Sequence, residues 1–298
     1  MTTPTSDEPT APEPDESRPG PAPGRSLPLA IASGIALAAV FLATLWLSPW
    51  LFLAFVSVLV VIALLELDVV LRGNGLRPAT PVAAAAGLVA FFGAYARGPA
   101  AQALALVLLT VGTIAWVLLL PSPGERDDSD APAGRVANDI AVTCLVALWV
   151  PFLASFLGLL LARPDGRWYV LAAIALTVSN DIGAFAVGSR LGRHKLAPSV
   201  SPAKSWEGLA GGLVTVLVLT VAITAHLPGF DLALAVAFGL AAALAGTLGD
   251  LAESLVKRDL GVKDLGRILP GHGGMMDRVD AIIFALPATH LTLVLFGI

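Results

Sequence analysis

Nine apolar runs follow one another along the chain, separated by short polar stretches, at about 27–47, 50–71, 79–96, 99–120, 139–161, 168–189, 207–226, 232–256 and 279–298. A helix of roughly 20 apolar residues is long enough to cross a bilayer. Backbone groups in lipid must pair within their own segment, so repeated runs of this length predict helices. The pattern predicts an all-α fold, a polytopic integral membrane helical bundle with about nine transmembrane helices. Ser48-Pro49, Arg97-Gly98-Pro99 and Leu227-Pro228-Gly229 punctuate the tightest junctions, where proline and glycine stop one helix and let the next begin. Longer connections fall at 121–138, 190–206 and 257–278.

The organisation divides into three. Residues 1–26 are rich in Pro, Ser, Thr, Asp and Glu and cannot bury enough apolar surface to order themselves. They lack the basic start and short apolar core of a signal peptide, and read as a disordered cytoplasmic tail. Residues 27–138 form an N-terminal transmembrane region of four helices and a cytoplasmic loop. Residues 139–298 form a second transmembrane region, the candidate catalytic one, which carries the densest run of charge.

Composition supports the membrane reading: 56% of the 298 residues are hydrophobic and mean hydropathy is +0.83. The single cysteine, Cys144, lies in an apolar run and excludes an intrachain disulfide. It reads as a small buried apolar residue. Basic residues favour the cytoplasmic side of a membrane. With nine spans, one side collects fifteen of the eighteen Lys and Arg, leaving Arg97, Arg163 and Arg167 on the other. The connections at 190–206 and 257–278 then share the cytoplasmic face.

Charges inside a bilayer cost about 2.5–3.5 kcal/mol each on insertion scales and often mark working sites. Glu66 and Asp68 lie near a span end, four residues before Arg72 in the case of Asp68, and an interfacial helical ion pair accounts for them. Asn180 and Asp181 fall within an apolar run, with Gly183 and Gly188 following. They read either as a buried polar site or as hydrogen bonding between helices. Asp250 and Glu253 are three apart and share a helical face, as do Asp277 and Asp280. These two helical carboxylate pairs, brought together by the loop between them, make an oxygen-rich site suited to a hard cation such as Mg²⁺.

Between these pairs runs the densest charge in the chain. Ser254 to Asp280 holds ten ionisable side chains in 27 residues, among them Lys257, Arg258, Lys263, Asp264, His272 and Arg278. Gly271, Gly273 and Gly274 flank His272 and offer backbone N–H groups beside a helix N-terminus, which favours phosphate. Carboxylates for metal and bases for phosphate are the parts of phosphoryl or nucleotidyl transfer. A basic loop that attracts anionic lipid is the plainer alternative. In the 190–206 connection, Ser201 and Lys204 read as phosphate contacts, Ser205 as a helix cap and Trp206 as an interface anchor. Gly208 and Gly212 read as a helix-packing pair, and His226 and His290 as structural.

The stretch from Ser254 to Asp280 resembles the signature of phosphatidate cytidylyltransferases, also called CDP-diacylglycerol synthases. Ser-x-apolar-Lys-Arg is followed by Lys263-Asp264, then by Pro270-x-His272-Gly273-Gly274 and Asp277-Arg278-apolar-Asp280. Weaker blocks agree at Asn180-Asp181 and at Ser201-Pro202 with Lys204 and Trp206-Glu207-Gly208. Departures are Ala203 for Lys, Ser205 for Thr and Phe185 for Tyr. The resemblance covers about 139–298 and treats the first four spans only as a hydrophobic region. It implies that CTP and phosphatidate give CDP-diacylglycerol and pyrophosphate, in phospholipid synthesis at the bacterial plasma (inner) membrane. It implies Asp250, Asp277 and Asp280 as metal ligands for Mg²⁺, with a second cation, K⁺ among the options. It implies Lys257, Arg258, Lys263, Asp264, His272 and Arg278 as catalytic contacts, with Asn180, Asp181, Ser201, Lys204, Gly273 and Gly274 lining the substrates. The implied partners are CTP, phosphatidate and the bilayer, without nucleic acid, and a homodimer. Rival readings are a lipid kinase that uses CTP and a transporter; the concentration of charge on one face disfavours the transporter.

Overall fold

The structure, a computed structural model, describes residues 27–120, 134–224, 230–266 and 274–298. Ten α-helices and one hairpin succeed each other: α1 (Leu27–Leu47), α2 (Pro49–Gly73), α3 (Thr80–Arg97), α4 (Pro99–Leu119), α5 (Arg135–Ala147), α6 (Phe156–Leu161), α7 (Gly166–Leu191), β1 (Lys195–Ala197), β2 (Ser201–Ser205), α8 (Trp206–Thr224), α9 (Leu232–Asp259) and α10 (Met276–Leu295). Each predicted apolar run therefore holds helix.

The punctuation acts as its chemistry dictates. Pro49 and Pro99 open α2 and α4, where a missing N–H costs nothing. Gly98, at φ +70°, turns α3 into α4, a conformation glycine adopts without strain. Asp231 caps α9, its carboxylate accepting from the Leu234 N–H at 2.7 Å.

The fifth run departs from a single helix. A five-residue π-helical turn, Leu148–Phe152, separates α5 from α6 and contains Pro151. Proline lacks the N–H that α-helical bonding needs, and π turns absorb such interruptions. Its ring presses on α3, where a Cβ added to Gly87 would stand 2.3 Å from Pro151 Cβ.

Among the described residues six segments are long and apolar enough to cross a membrane: α2, α4, the composite Arg135–Leu161, α7, α9 and α10. Gly34–Leu47 and Trp206–Ala222, within α1 and α8, are shorter apolar helices. The protein is thus an all-helical, multi-pass membrane protein by length and composition. The expected tail and His226 lie outside the described residues.

Two close antiparallel pairings dominate the C-terminal half, α7 with α8 and α9 with α10. Glycine makes the first possible: a Cβ on Gly208 would stand 2.9 Å from the Ala184 carbonyl, and one on Gly212 2.5 Å from Asn180 Oδ1. Gly208 and Gly212 are packing residues, as their spacing implied. In the N-terminal half Asp68 pairs with Arg72 at 2.8 Å, the expected helical ion pair. Glu66 takes no part in that pair and points instead to α10. Cys144 is half-buried rather than buried, and buried His290 packs against the Phe156 ring at 5.7 Å.

The 190–206 connection is a two-stranded antiparallel hairpin, with Lys195 opposite Ser205 and Ala197 opposite Ser201. Ser205 Oγ accepts from the Gly208 N–H at 3.1 Å and so caps α8. Glu207 accepts from the Arg193 N–H at 3.1 Å and contacts His194 Nδ1 at 2.6 Å. Both ends of the hairpin are tied to the first turn of α8.

Candidate active site

The site forms where α9 meets α10 beneath the hairpin. Asp250, Glu253 and Lys257 are spaced three and four apart on α9 and so share a face. α10 lies against this helix because α9 has glycine at the crossing. A Cβ on Gly249 would stand 2.5 Å from the Asp280 carbonyl and 2.9 Å from the Phe284 ring. The close crossing delivers Asp280.

Asp250, Glu253 and Asp280 each place one carboxylate oxygen within 4.8 Å of the others. Glu253 is 1% exposed and Asp280 7%. Glu253 Oε1 is buried and receives no hydrogen bond among the described residues. Buried carboxylates held together repel and are costly unless a cation joins them. A hard divalent cation is the ligand such an oxygen set suits, and two lysines flank the group. Lys204 Nζ, from β2, stands 2.6 Å from Asp250 Oδ2. Lys257 Nζ stands 2.6 Å from Glu253 Oε2 and 2.9 Å from Asp277 Oδ1.

Spacing brought forward two carboxylate pairs, and the resemblance implied Asp250, Asp277 and Asp280 as the ligands; the carboxylates found within reach of one another are Asp250, Glu253 and Asp280, with Asp277 beside them. Asp277 Oδ2 accepts from the Leu265 N–H at 3.3 Å and the Gly274 N–H at 3.2 Å. Asp277 therefore ties the connection after α9 to the start of α10. The Gly274 N–H, expected to face substrate, is engaged by that carboxylate.

A cavity of about 430 Å³ opens beside the cluster, between α7, α8, α9 and the hairpin. Asn180, Asp181, Lys204, Ser205, Thr247 and Asp250 are among its lining residues. Asn180 is 1% exposed; its Nδ2 donates to Thr247 Oγ1 at 3.1 Å. Its Oδ1 has no donor among the described residues. Asn180 thus joins α7 to α9 and also lines the cavity.

The other expected residues are more dispersed. Arg258 Nε donates to the Val200 carbonyl at 3.3 Å, fixing the hairpin to the end of α9. Ser201 is half-buried at the start of β2. Lys263 is exposed and Asp264 half-buried beyond α9, and Arg278 is exposed in the first turn of α10. Asp264 is not among the three clustered carboxylates. His272 and Gly273 lie outside the described residues.

Membrane-length helices that bury carboxylates beside lysines and a cavity fit an integral-membrane enzyme of phosphate chemistry. The chain belongs to the cytidylyltransferase family, whose model matches residues 29–296. It is 35% identical over 275 residues to the phosphatidate cytidylyltransferase of Mycobacterium bovis, spanning 91% of this chain and 90% of that one. The Mycobacterium leprae phosphatidate cytidylyltransferase is 35% identical over 269 residues, 88% of this chain and 86% of the relative. That of Staphylococcus aureus is 42% identical over 134 residues, 44% of this chain and 51% of the relative.

Proposed function

We propose that this protein transfers the cytidylyl group of CTP to phosphatidate, giving CDP-diacylglycerol and pyrophosphate in phospholipid synthesis. One observation carries the reading: in a chain of the cytidylyltransferase family, three carboxylates from two helices converge within 4.8 Å, with a lysine on either side. Asp250, Glu253 and Asp280 would hold Mg²⁺. When bound, the cation neutralises phosphate charge as it develops.

A phosphate oxygen of phosphatidate attacks the α-phosphorus of CTP. The new bond forms there as the bond to the α,β-bridging oxygen breaks, and pyrophosphate leaves with that electron pair. Phosphatidate is already an anion near neutral pH, so no side chain must take a proton. The work is positioning and charge neutralisation. Lys204 lies where it can exchange Asp250 for a substrate phosphate, because it lines the cavity and touches the cluster at once. Lys257 holds Glu253 and Asp277 in register across α9 and α10.

Labelled CTP tests the reading with purified protein, phosphatidate and Mg²⁺. Label at the α-phosphorus is expected in the lipid product, and γ-label in pyrophosphate. γ-Label in the lipid would identify a kinase instead, and label in neither would end the proposal.

We further propose nine spans, with the hairpin and the cluster at the cytoplasmic face. The nine helical runs and the asymmetry of Lys and Arg support this. A reporter fused after Ile298 is expected to read as extracytoplasmic; a cytoplasmic signal would break the nine-span topology.

A further inference from the structure

The N-terminal half contributes one buried carboxylate to the other half of the protein. Glu66, on α2, is 4% exposed. Its Oε2 accepts from the Met275 N–H at 2.6 Å and from the Met276 N–H at 3.3 Å. These groups open α10, where a helix has N–H groups without intrahelical partners. The N-cap position, Met275, supplies no side-chain hydrogen bond of its own. The helix that carries Asp277 and Asp280 is therefore capped from α2, 209 residues away along the chain. A negative charge there is also favoured by the helix dipole.

The same carboxylate seats both flanks of the connection between α9 and α10. A Cβ on Gly266 would stand 2.0 Å from Glu66 Cδ. A Cβ on Gly274 would stand 3.0 Å from Glu66 Oε2 and 2.7 Å from the Gly266 nitrogen. Only glycine lets the two strands of backbone approach each other and Glu66 this closely. Asp277 also fastens the pair, through the N–H groups of Leu265 and Gly274.

We propose that Glu66 is a positioning residue for the carboxylate cluster, fixing the start of α10 so that Asp280 meets Asp250 and Glu253. Glu66 is not among the three clustered carboxylates. It acts through the backbone of Met275 and Met276. The inference rests on the proposed reading that this cluster holds a divalent cation.

The test compares Glu66→Gln, Glu66→Asp and Glu66→Ala in the full chain. Mn²⁺ affinity is read by electron paramagnetic resonance, beside kcat and KM for CTP and phosphatidate. Gln keeps the reach and one acceptor for the backbone N–H groups. Asp keeps the charge but falls short by about 1.5 Å, one carbon–carbon bond. Positioning predicts the order wild type, Gln, then Asp and Ala together. Loss of a group that orients metal ligands costs about tenfold to a hundredfold in affinity or activity. That loss is expected for Asp and Ala in Mn²⁺ affinity and kcat, with both KM values unchanged. If Ala does not fold, the order of Gln and Asp still decides. Asp matching or exceeding Gln would overturn the proposal, as would wild-type Mn²⁺ affinity in all three variants. Mn²⁺ binding that depends on Glu66 in a protein that makes no CDP-diacylglycerol would overturn the functional reading and leave this inference standing.

Discussion

Asp280→Asn is expected to lower cytidylyl transfer by at least about 10²–10³-fold, the cost of losing one preorganised electrostatic group in a site that works by charge neutralisation. Asn matches Asp in shape, so the α9–α10 crossing at Gly249 should survive. What is lost is one of three converging negative charges, and an amide can turn its N–H₂ towards the other two. Asp280 is 7% exposed, so water offers little compensation. Folding should change little, because removing one of three mutually repelling carboxylates relieves repulsion. Turnover and thermal unfolding, measured on the same preparation, separate these effects. Near-normal turnover would remove Asp280 from the site.

Lys257→Met is expected to cost stability as well as activity. The lysine lies between Glu253 and Asp277, whose side chains are 2% and 14% exposed. Removing the cation from a buried ion pair strands the partner charge and typically costs about 3–5 kcal/mol. Glu253 is the more exposed to this loss in energy, since its Oε1 already lacks a donor among the described residues. A second change, Glu253→Gln, removes the stranded charge. The double variant should therefore regain part of the lost stability and none of the activity, a coupling that a double-mutant cycle measures. Wild-type unfolding in Lys257→Met would show that the bridge carries no weight.

The long apolar runs made the helices legible, because span length in lipid is set by bilayer thickness rather than by tertiary detail. The fifth run misled: its composition is apolar throughout, but Pro151 forces a π turn within it. The hairpin was hidden by Pro198 and Pro202, since proline within a run argues against a strand. A two-stranded hairpin is all edge, so Pro202 is tolerated in β2.

The site was legible in part. Asp250 and Asp280 stood out through spacing, and Glu253 shared a face with Asp250. The choice between Glu253 and Asp277 as the third carboxylate was not local. It depends on Leu265 and Gly274 offering their N–H groups to Asp277. No spacing rule encodes that. Glu66 was harder still. Its neighbours on α2 suggest an interfacial ion pair, and its partners lie on α10. The N-terminal half looked like generic hydrophobic sequence because Glu66, which it sends to the start of α10, is a single side chain acting at long range.

Asp250, Glu253 and Asp280 are proposed here as the divalent-cation site of this transferase. Anomalous scattering from Mn²⁺-soaked crystals tests it most directly. One peak bounded by oxygens of those three residues is expected, at the roughly 2.1 Å of an octahedral hard cation, together with its loss in Asp280→Asn. A peak held by Asp277 with Glu253 outside the coordination sphere, or one that persists in Asp280→Asn, would contradict it.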